Sequence, residues 1–116
     1  MSVYTGGCHC GLVRYEVETD LAQIIECNCS YCTAKGLLLN FVPVEKFKLI
    51  SGEESLGEYL FNKKVIHHVF CKVCGTQSFA NAVVSGDKKM IAINVRCLEG
   101  VNLKELALTP YDGKSR

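Results

Sequence analysis

The sequence has almost no excess of charge of either sign. Lys and Arg number 13 and Asp and Glu number 12, which gives a formal net charge of +1 over 116 residues. Proteins that bind nucleic acid or an acidic membrane surface usually carry a concentrated basic patch. The near balance therefore argues against nucleic acid and membranes as partners. We expect a monomer or a weak homo-oligomer.

Long apolar runs are also absent. Runs such as Leu37-Leu38-Leu39 are far shorter than the roughly 20 residues that span a bilayer. The first residues do not combine a basic segment with an apolar run, as a secretory signal would. We therefore expect a cytoplasmic protein. Thiols stay reduced in that compartment, so its cysteines are expected to bind metal or undergo redox chemistry before they form disulfides.

Proline is scarce, with two residues, and no repeat, low-complexity tract or linker interrupts the chain. We expect one domain over residues 1–116, with a core of about residues 4–100 followed by a polar, loosely ordered tail. No window longer than about ten residues keeps the 3.6-residue period of an amphipathic helix. The pattern instead predicts an all-β, mainly antiparallel domain of about eight short strands.

The clearest strand is marked by alternating apolar and polar residues, Val13-Arg14-Tyr15-Glu16-Val17-Glu18. Short apolar runs indicate the others, at residues 24–27, 37–42, 47–50, 56–61, 65–70, 79–84 and 90–98. The pair Gly86-Asp87 suits a tight hairpin. Helix is expected only as single turns near residues 30–35 and 44–47, and at the start of the tail.

Cysteine is the residue in excess, since eight of them fall into three clusters and a singleton. The clusters are Cys8-His9-Cys10, Cys27-Asn28-Cys29-Ser30-Tyr31-Cys32 and Cys71-Lys72-Val73-Cys74, and the singleton is Cys97. A CxxC followed by glycine, here Gly75, forms a turn in which two sulfurs converge on one ion. One such pair is half of a tetrahedral zinc site.

The CxC cluster supplies the other half of a closed four-thiolate site. Such a structural zinc would tie the first strand region to the middle of the chain. The CxCxxC cluster offers three ligands, and three protein ligands with an open fourth position are typical of a reactive zinc site. This partition leaves out Cys97, which we expect to be a small core residue. Spacing alone also allows other pairings of the clusters.

Several alternatives compete with this partition. An even number of cysteines allows a disulfide framework, and a CxxC also occurs in thioredoxin-like redox proteins, although the βαβ pattern of that fold is missing. A single structural zinc would leave the CxCxxC cysteines as buried thiols. A histidine could fill a fourth ligand position, and the candidates are His9, His67 and His68. The last two are consecutive on a strand, so they point to opposite faces and are expected to be ordinary strand residues.

Five stretches taken in order form a more specific signature: Gly6-Gly7-Cys8-His9-Cys10-Gly11, Val13-Arg14-Tyr15, Cys27-Asn28-Cys29-Ser30-Tyr31-Cys32, Phe70-Cys71-Lys72-Val73-Cys74-Gly75-Thr76 and Ile93-Asn94-Val95-Arg96-Cys97-Leu98. Over about residues 4–100 this set resembles the glutathione-dependent formaldehyde-activating enzyme family, also known as the centromere protein V/Gfa domain family. The resemblance implies a β-tent-like zinc-binding fold of antiparallel sheets.

The resemblance also implies two Zn²⁺ per chain. A structural zinc would be held by Cys8, Cys10, Cys71 and Cys74, and a catalytic zinc by Cys27, Cys29 and Cys32. The implied activity is that of a carbon–sulfur lyase whose partners are glutathione, or another thiol, and a small aldehyde such as formaldehyde. The alternatives are a non-catalytic zinc-binding module and a thiol-based redox sensor. Three ligands hold zinc more weakly than four, so we expect the three-cysteine site to be partly empty. Lys35, just after the CxCxxC cluster, is a candidate for attracting an anionic substrate.

Overall fold

The computed structural model describes residues 2–28, 30–60, 66–84 and 88–111. These residues contain ten β-strands and one short α-helix: β1 (Ser2–Gly7), β2 (Arg14–Thr19), β3 (Ile24–Cys27), α1 (Ser30–Lys35), β4 (Leu39–Pro43), β5 (Phe47–Ser51), β6 (Leu56–Leu60), β7 (Ile66–Cys71), β8 (Phe79–Val84), β9 (Lys88–Asn94) and β10 (Leu108–Tyr111). Single turns of 3₁₀ helix cover Val44–Lys46, Glu53–Ser55, Val95–Cys97 and Leu103–Glu105. Among the described residues, no helix is both long and apolar enough to cross a membrane.

The prediction of an all-β fold with little helix is confirmed. The two helical turns that the sequence predicted before the tail are both present, at α1 and at Val44–Lys46. β8 and β9 pair as neighbouring antiparallel strands, from Phe79 opposite Ile93 to Val84 opposite Lys88. The predicted hairpin turn at Gly86-Asp87 lies outside the described residues.

The strands form two sheets. One has three antiparallel strands in the order β1-β2-β5, and the other has seven in the order β10-β3-β4-β9-β8-β7-β6. Neighbouring strands of the large sheet run antiparallel except β10, which lies parallel to β3. Parallel neighbours cannot be joined by a tight turn. All the other strands of the large sheet therefore lie between β3 and β10 in the chain.

The tail differs from its sequence-based prediction. Residues 108–111 form an edge strand, with Leu108 opposite Ile24 and Tyr111 opposite Cys27. A polar segment containing Pro110 resembles a loose tail in sequence, since proline cannot donate a ladder hydrogen bond. An edge strand tolerates that loss because one side of its backbone has no neighbour. The ordered part of the fold therefore extends to Tyr111, where residues after about 101 were expected to be loose.

The main core lies between the two sheets. β2 alternates between half-buried and fully buried residues, which confirms the period-two pattern of its sequence. The Tyr15 ring packs on Phe47 at 5.1 Å and on Phe79 at 5.8 Å between ring centroids. Its hydroxyl donates a hydrogen bond to the Ser78 carbonyl at 3.1 Å, so the polar end of this buried ring is satisfied. Each buried side chain of this size contributes about 1.5–3 kcal/mol to folding.

The large sheet has a second apolar face, on which α1 packs. Successive strand residues point to opposite faces. In β9, Ile91 and Ile93 therefore enter the main core, whereas Ala92 joins a smaller cluster with Cys32 and Leu37. Cys8 and Cys71 belong to the main core. Cys27 and Cys32 belong to the smaller cluster, so the two cysteine groups lie on opposite faces of the seven-stranded sheet.

Gly52 directly follows β5 and allows the chain to pass close to the loop after Cys8. It has φ +90°, and a Cβ atom there would lie 2.4 Å from the Leu12 carbonyl oxygen and 2.7 Å from the Val13 Cα. Both contacts are with backbone, which cannot move aside as a side chain can. Gly52 thus combines a left-handed conformation with a close approach that only glycine allows.

We predict that Gly52→Ala lowers the free energy of unfolding by about 3 kcal/mol, through backbone strain and overpacking together. Gly100 has φ +74° but open space around its Cα. Gly100→Ala is therefore the matched control and is expected to cost only about 1 kcal/mol. Urea unfolding at a fixed, saturating zinc concentration measures both. Equal losses of unfolding free energy in the two variants would show that the close approach to Leu12 and Val13 does not contribute to the cost of Gly52→Ala.

Candidate metal centre and cysteine cleft

The sulfurs of Cys8, Cys10, Cys71 and Cys74 all lie within 4.8 Å of one another. The Sγ–Sγ distances are 3.5 Å from Cys8 to Cys10 and 3.6 Å from Cys10 to Cys71. Both are far longer than the roughly 2.05 Å of a disulfide. They approach the edge of about 3.8 Å expected for a tetrahedron of sulfurs around zinc at about 2.3 Å. These four residues could therefore hold a metal ion, and their donor set suits zinc.

Two loops bring these sulfurs together. The first follows β1, and there the Cys8 Sγ accepts a hydrogen bond from the Val13 N–H at 3.3 Å. The second follows β7, and there the Gly75 N–H donates to the Cys71 carbonyl at 2.8 Å with Gly75 at φ +79°. A residue with a side chain would be strained in that conformation. The glycine after the CxxC therefore closes the turn, as its sequence predicted.

These thiols differ in acidity before any cation binds. Hydrogen bonding with the side chain and backbone of Thr76 lowers the pKa of Cys74 to about 5. The Leu12 backbone N–H lowers the pKa of Cys10, but desolvation and the neighbouring thiols raise it by more, to about 12. Four sulfurs so close together cannot all be thiolates unless a cation offsets their repulsion. Full ionisation of all four thiols would therefore require a bound cation.

The CxCxxC residues lie on the other face of the large sheet. Cys27 is the last residue of β3 and is half-buried, while Cys32 is buried in the first turns of α1. Both line one cleft of about 490 Å³, a volume typical of small-molecule sites. Cys29 lies outside the described residues. The structure thus brings two of the three predicted ligands to one cleft, and the three-cysteine site stays a prediction.

Two further parts of the cleft wall were not predicted from the sequence. Pro110 and Tyr111 of β10 line it, and the Asn28 N–H donates to the Tyr111 carbonyl at 3.0 Å. Arg96 also lines it, and its Nε donates to the Gly36 carbonyl at 2.8 Å. Arg96 and Gly36 are 60 residues apart in the chain. No local pattern in the sequence could have placed this arginine beside the CxCxxC cluster.

A chain of hydrogen bonds connects α1 to Gln77 and to His68 of β7. The Tyr31 hydroxyl donates to Oε1 of Gln77, and Nε2 of Gln77 lies 3.1 Å from Nδ1 of His68. Burial, with a smaller contribution from Lys35, lowers the pKa of His68. A neutral imidazole can accept the amide hydrogen at Nδ1. The Tyr31 ring also packs at a tilt against His68, with centroids 4.1 Å apart, and stacks on Tyr59, with centroids 5.3 Å apart.

Gln77 therefore connects the two cysteine groups. It follows Cys74 by three residues and is buried, and its side chain holds the tyrosine of the CxCxxC segment. The Gln77 carbonyl accepts a hydrogen bond from Asn94 at 2.9 Å. The loop that carries half of the four-sulfur cluster thus positions the helix that carries Cys32. No motif in the sequence singled out Gln77.

Other candidate ligands lie elsewhere. The four-sulfur cluster contains no histidine. His67 and His68 point to opposite faces as predicted, since His67 meets Glu58 at 2.6 Å while His68 is buried against Tyr31. Cys97 is half-buried, and burial raises its pKa to about 11, so it is a neutral thiol. The ammonium group of Lys35 lies 5.9 Å from the centre of the Tyr31 ring.

Comparison with known proteins identifies the family and a similar fold. The sequence model of the family described as glutathione-dependent formaldehyde-activating enzyme matches residues 3–110, and the chain belongs to this family. The match includes β10, beyond the motifs that end near residue 100. The fold is similar to the crystal structure of a Rhodobacter sphaeroides protein, solved as a structural genomics target, with a TM-score of 0.79 and 31% sequence identity. That similarity covers 91% of this chain and 97% of the other.

We predict that Tyr31→Phe lowers the free energy of unfolding by about 1–2 kcal/mol, because it leaves the buried Oε1 of Gln77 without its donor. Tyr59→Phe makes the same change in the exposed ring that stacks on Tyr31. It is expected to stay within about 0.5 kcal/mol of the wild type. Urea unfolding of both variants provides the comparison. A cost for Tyr59→Phe as large as that for Tyr31→Phe would contradict a special role of the hydrogen bond.

Proposed function

We propose that this protein is a zinc-dependent, carbon–sulfur lyase-like enzyme that acts on glutathione or another thiol and a small aldehyde of the formaldehyde type. Membership of the glutathione-dependent formaldehyde-activating family supports the reaction class. The observation that carries the proposal is the convergence of Cys27 and Cys32, from a strand and a helix, on one cleft. A cleft on a rigid sheet is where a small substrate can be held in a fixed orientation.

The proposal assigns two zinc ions to the chain. Cys8, Cys10, Cys71 and Cys74 would hold a structural zinc, because four sulfurs close its coordination shell. Cys27, Cys29 and Cys32 would hold the second and leave one position open. When bound there, zinc supplies a soft Lewis acid that favours the thiolate form of a thiol. All three ligands carry negative charge, which makes such a site a weaker activator of water than one built from neutral histidines.

The reaction itself balances without any other reagent. The thiol sulfur forms a bond to the aldehyde carbon, the π electron pair of the carbonyl moves to oxygen, and the thiol proton ends on that oxygen. The product is an S-hydroxymethyl thioether, and the reverse reaction releases the aldehyde. The contribution of the protein is to hold the sulfur and the aldehyde close together between α1, β3 and β10, whose residues form the cleft wall.

The size of the expected acceleration follows from thiol acidity. A thiol with a pKa of about 8.5 is only about 3% ionised at pH 7, so complete ionisation raises the reactive fraction up to about thirtyfold. Part of this gain is lost, because a more acidic thiol is a weaker nucleophile. Orientation in the cleft then has to supply the remainder of the rate.

We predict that the wild-type protein binds two zinc ions per chain and consumes formaldehyde in the presence of glutathione above the uncatalysed rate. Cys27→Ser is expected to keep the fold, lose one zinc and lower this rate by at least about tenfold. Cys97→Ser is the matched control, since Cys97 is also half-buried but outside both cysteine groups. It should keep both zinc ions and full activity. Atomic emission spectrometry gives the zinc content, circular dichroism the fold, and loss of free formaldehyde the rate.

The competing functions give different results in the same experiment. One zinc per chain that Cys27→Ser does not change would contradict the open site and favour a non-catalytic zinc module. Two zinc ions, with release of one by peroxide but no thiol-dependent loss of aldehyde, would contradict the enzyme and favour a redox sensor. Equal activity in Cys27→Ser and Cys97→Ser would show that the cleft cysteines are not required.

A further inference from the structure

Arg96 is an arginine of the cleft wall. Its Nε donates to the Gly36 carbonyl at 2.8 Å, and its backbone N–H donates to Oδ1 of Asn94 at 3.2 Å. Among residues 2–28, 30–60, 66–84 and 88–111, no carboxylate forms an ion pair with it. Its side chain is exposed and lines the cleft that contains Cys27 and Cys32.

Arg14 differs from Arg96 because it forms an ion pair within the protein. One of its terminal nitrogens lies 2.7 Å from Oε1 of Glu99, and Thr5 donates to the same carboxylate oxygen at 2.6 Å. The charge of Arg14 is therefore matched within the protein. In the described part of the chain no carboxylate forms an ion pair with Arg96, although both arginines are partly exposed to solvent and Glu26 lines the same cleft.

The contact with Gly36 fixes the direction of the Arg96 side chain and uses one donor. Gly36 directly follows α1, so this bond satisfies a carbonyl just beyond the helix C-terminus. A guanidinium group has five N–H donors in a planar fork that matches the two oxygens of a carboxylate. The terminal nitrogens have no hydrogen-bond partner among the described residues. An arginine that is held at Nε and open at its other end is preorganised to bind a carboxylate.

We propose that Arg96 binds a carboxylate of the thiol substrate, so that the cleft selects thiols that carry a carboxylate over neutral thiols. This inference rests on the proposed function, because it assumes that a thiol occupies the cleft beside Cys27 and Cys32. Arg96 is then a specificity-determining residue. Lys35 is a weaker candidate for this role, since its ammonium group lies near the Tyr31 ring and Lys35 does not line the cleft.

Glutathione and its diethyl ester provide the test, since the ester keeps the thiol and loses both carboxylates. We predict that the wild type prefers glutathione to the ester in kcat/KM by about tenfold to a hundredfold, as expected for a charge-assisted hydrogen-bond pair. Arg96→Gln should reduce this preference to about one by raising KM for glutathione, with kcat little changed. Arg96→Lys should keep part of the preference, because it retains the charge without the fork. Lys35→Gln is the matched control and should keep the full preference.

A binding measurement separates this inference from the proposed function. The ¹⁵N-resolved Nε–Hε signal of Arg96 should shift when glutathione is added and stay in place when the diethyl ester is added. This shift without any consumption of formaldehyde would overturn the proposed function and support the carboxylate site. Three outcomes would overturn the inference while activity is present: equal shifts with both compounds, an equal loss of activity on both in Arg96→Gln, or a loss of preference in Lys35→Gln.

Discussion

Four cysteine sulfurs from two loops that are distant in sequence all lie within 4.8 Å of one another, and this convergence brings the two sheets together at one end. The first loop leaves the three-stranded sheet and the second leaves β7 of the seven-stranded sheet. A cation that binds all four sulfurs therefore joins the two sheets at one end of their shared core. The binding free energy of such a cation would add to the stability of the fold.

The seven-stranded sheet separates this cluster from the cleft in which the reaction is proposed to occur. Cys8 and Cys71 face the core between the sheets, whereas Cys27 and Cys32 face the opposite side with α1. The connection between them is Gln77, which follows the four-sulfur loop and hydrogen-bonds to Tyr31. The loop that carries Cys71 and Cys74 is therefore hydrogen-bonded, through Gln77, to the helix that carries Cys32. A reactive site needs such positioning by its surroundings.

The sequence predicted features that depend on short spacings. The alternation in β2 and the CxxC-glycine turn at Gly75 are local features. The first follows from the two-residue period of a strand, and the second from the backbone conformation of one glycine. The pairing of β10 with β3, the contact of Arg96 with Gly36 and the bond from Tyr31 to Gln77 were not predicted. Each joins residues more than 40 positions apart. Such contacts depend on how the sheets pack, and a single sequence contains no periodic signal for them. The polar tail was predicted to be loose for the same reason, since only the finished sheet shows that residues 108–111 form an edge strand.

The most direct test of the account compares zinc content and thermal unfolding in Cys71→Ser and Cys97→Ser. Cys71 belongs to the four-sulfur cluster, and Cys97 lies outside it. The account predicts that Cys71→Ser fails to keep the structural zinc and has no cooperative unfolding transition, because the sheets lose their cross-link. Cys97→Ser should retain the zinc and the transition of the wild type. A Cys71→Ser variant with unchanged zinc content and an unchanged transition would contradict the claim that this cluster holds the fold together.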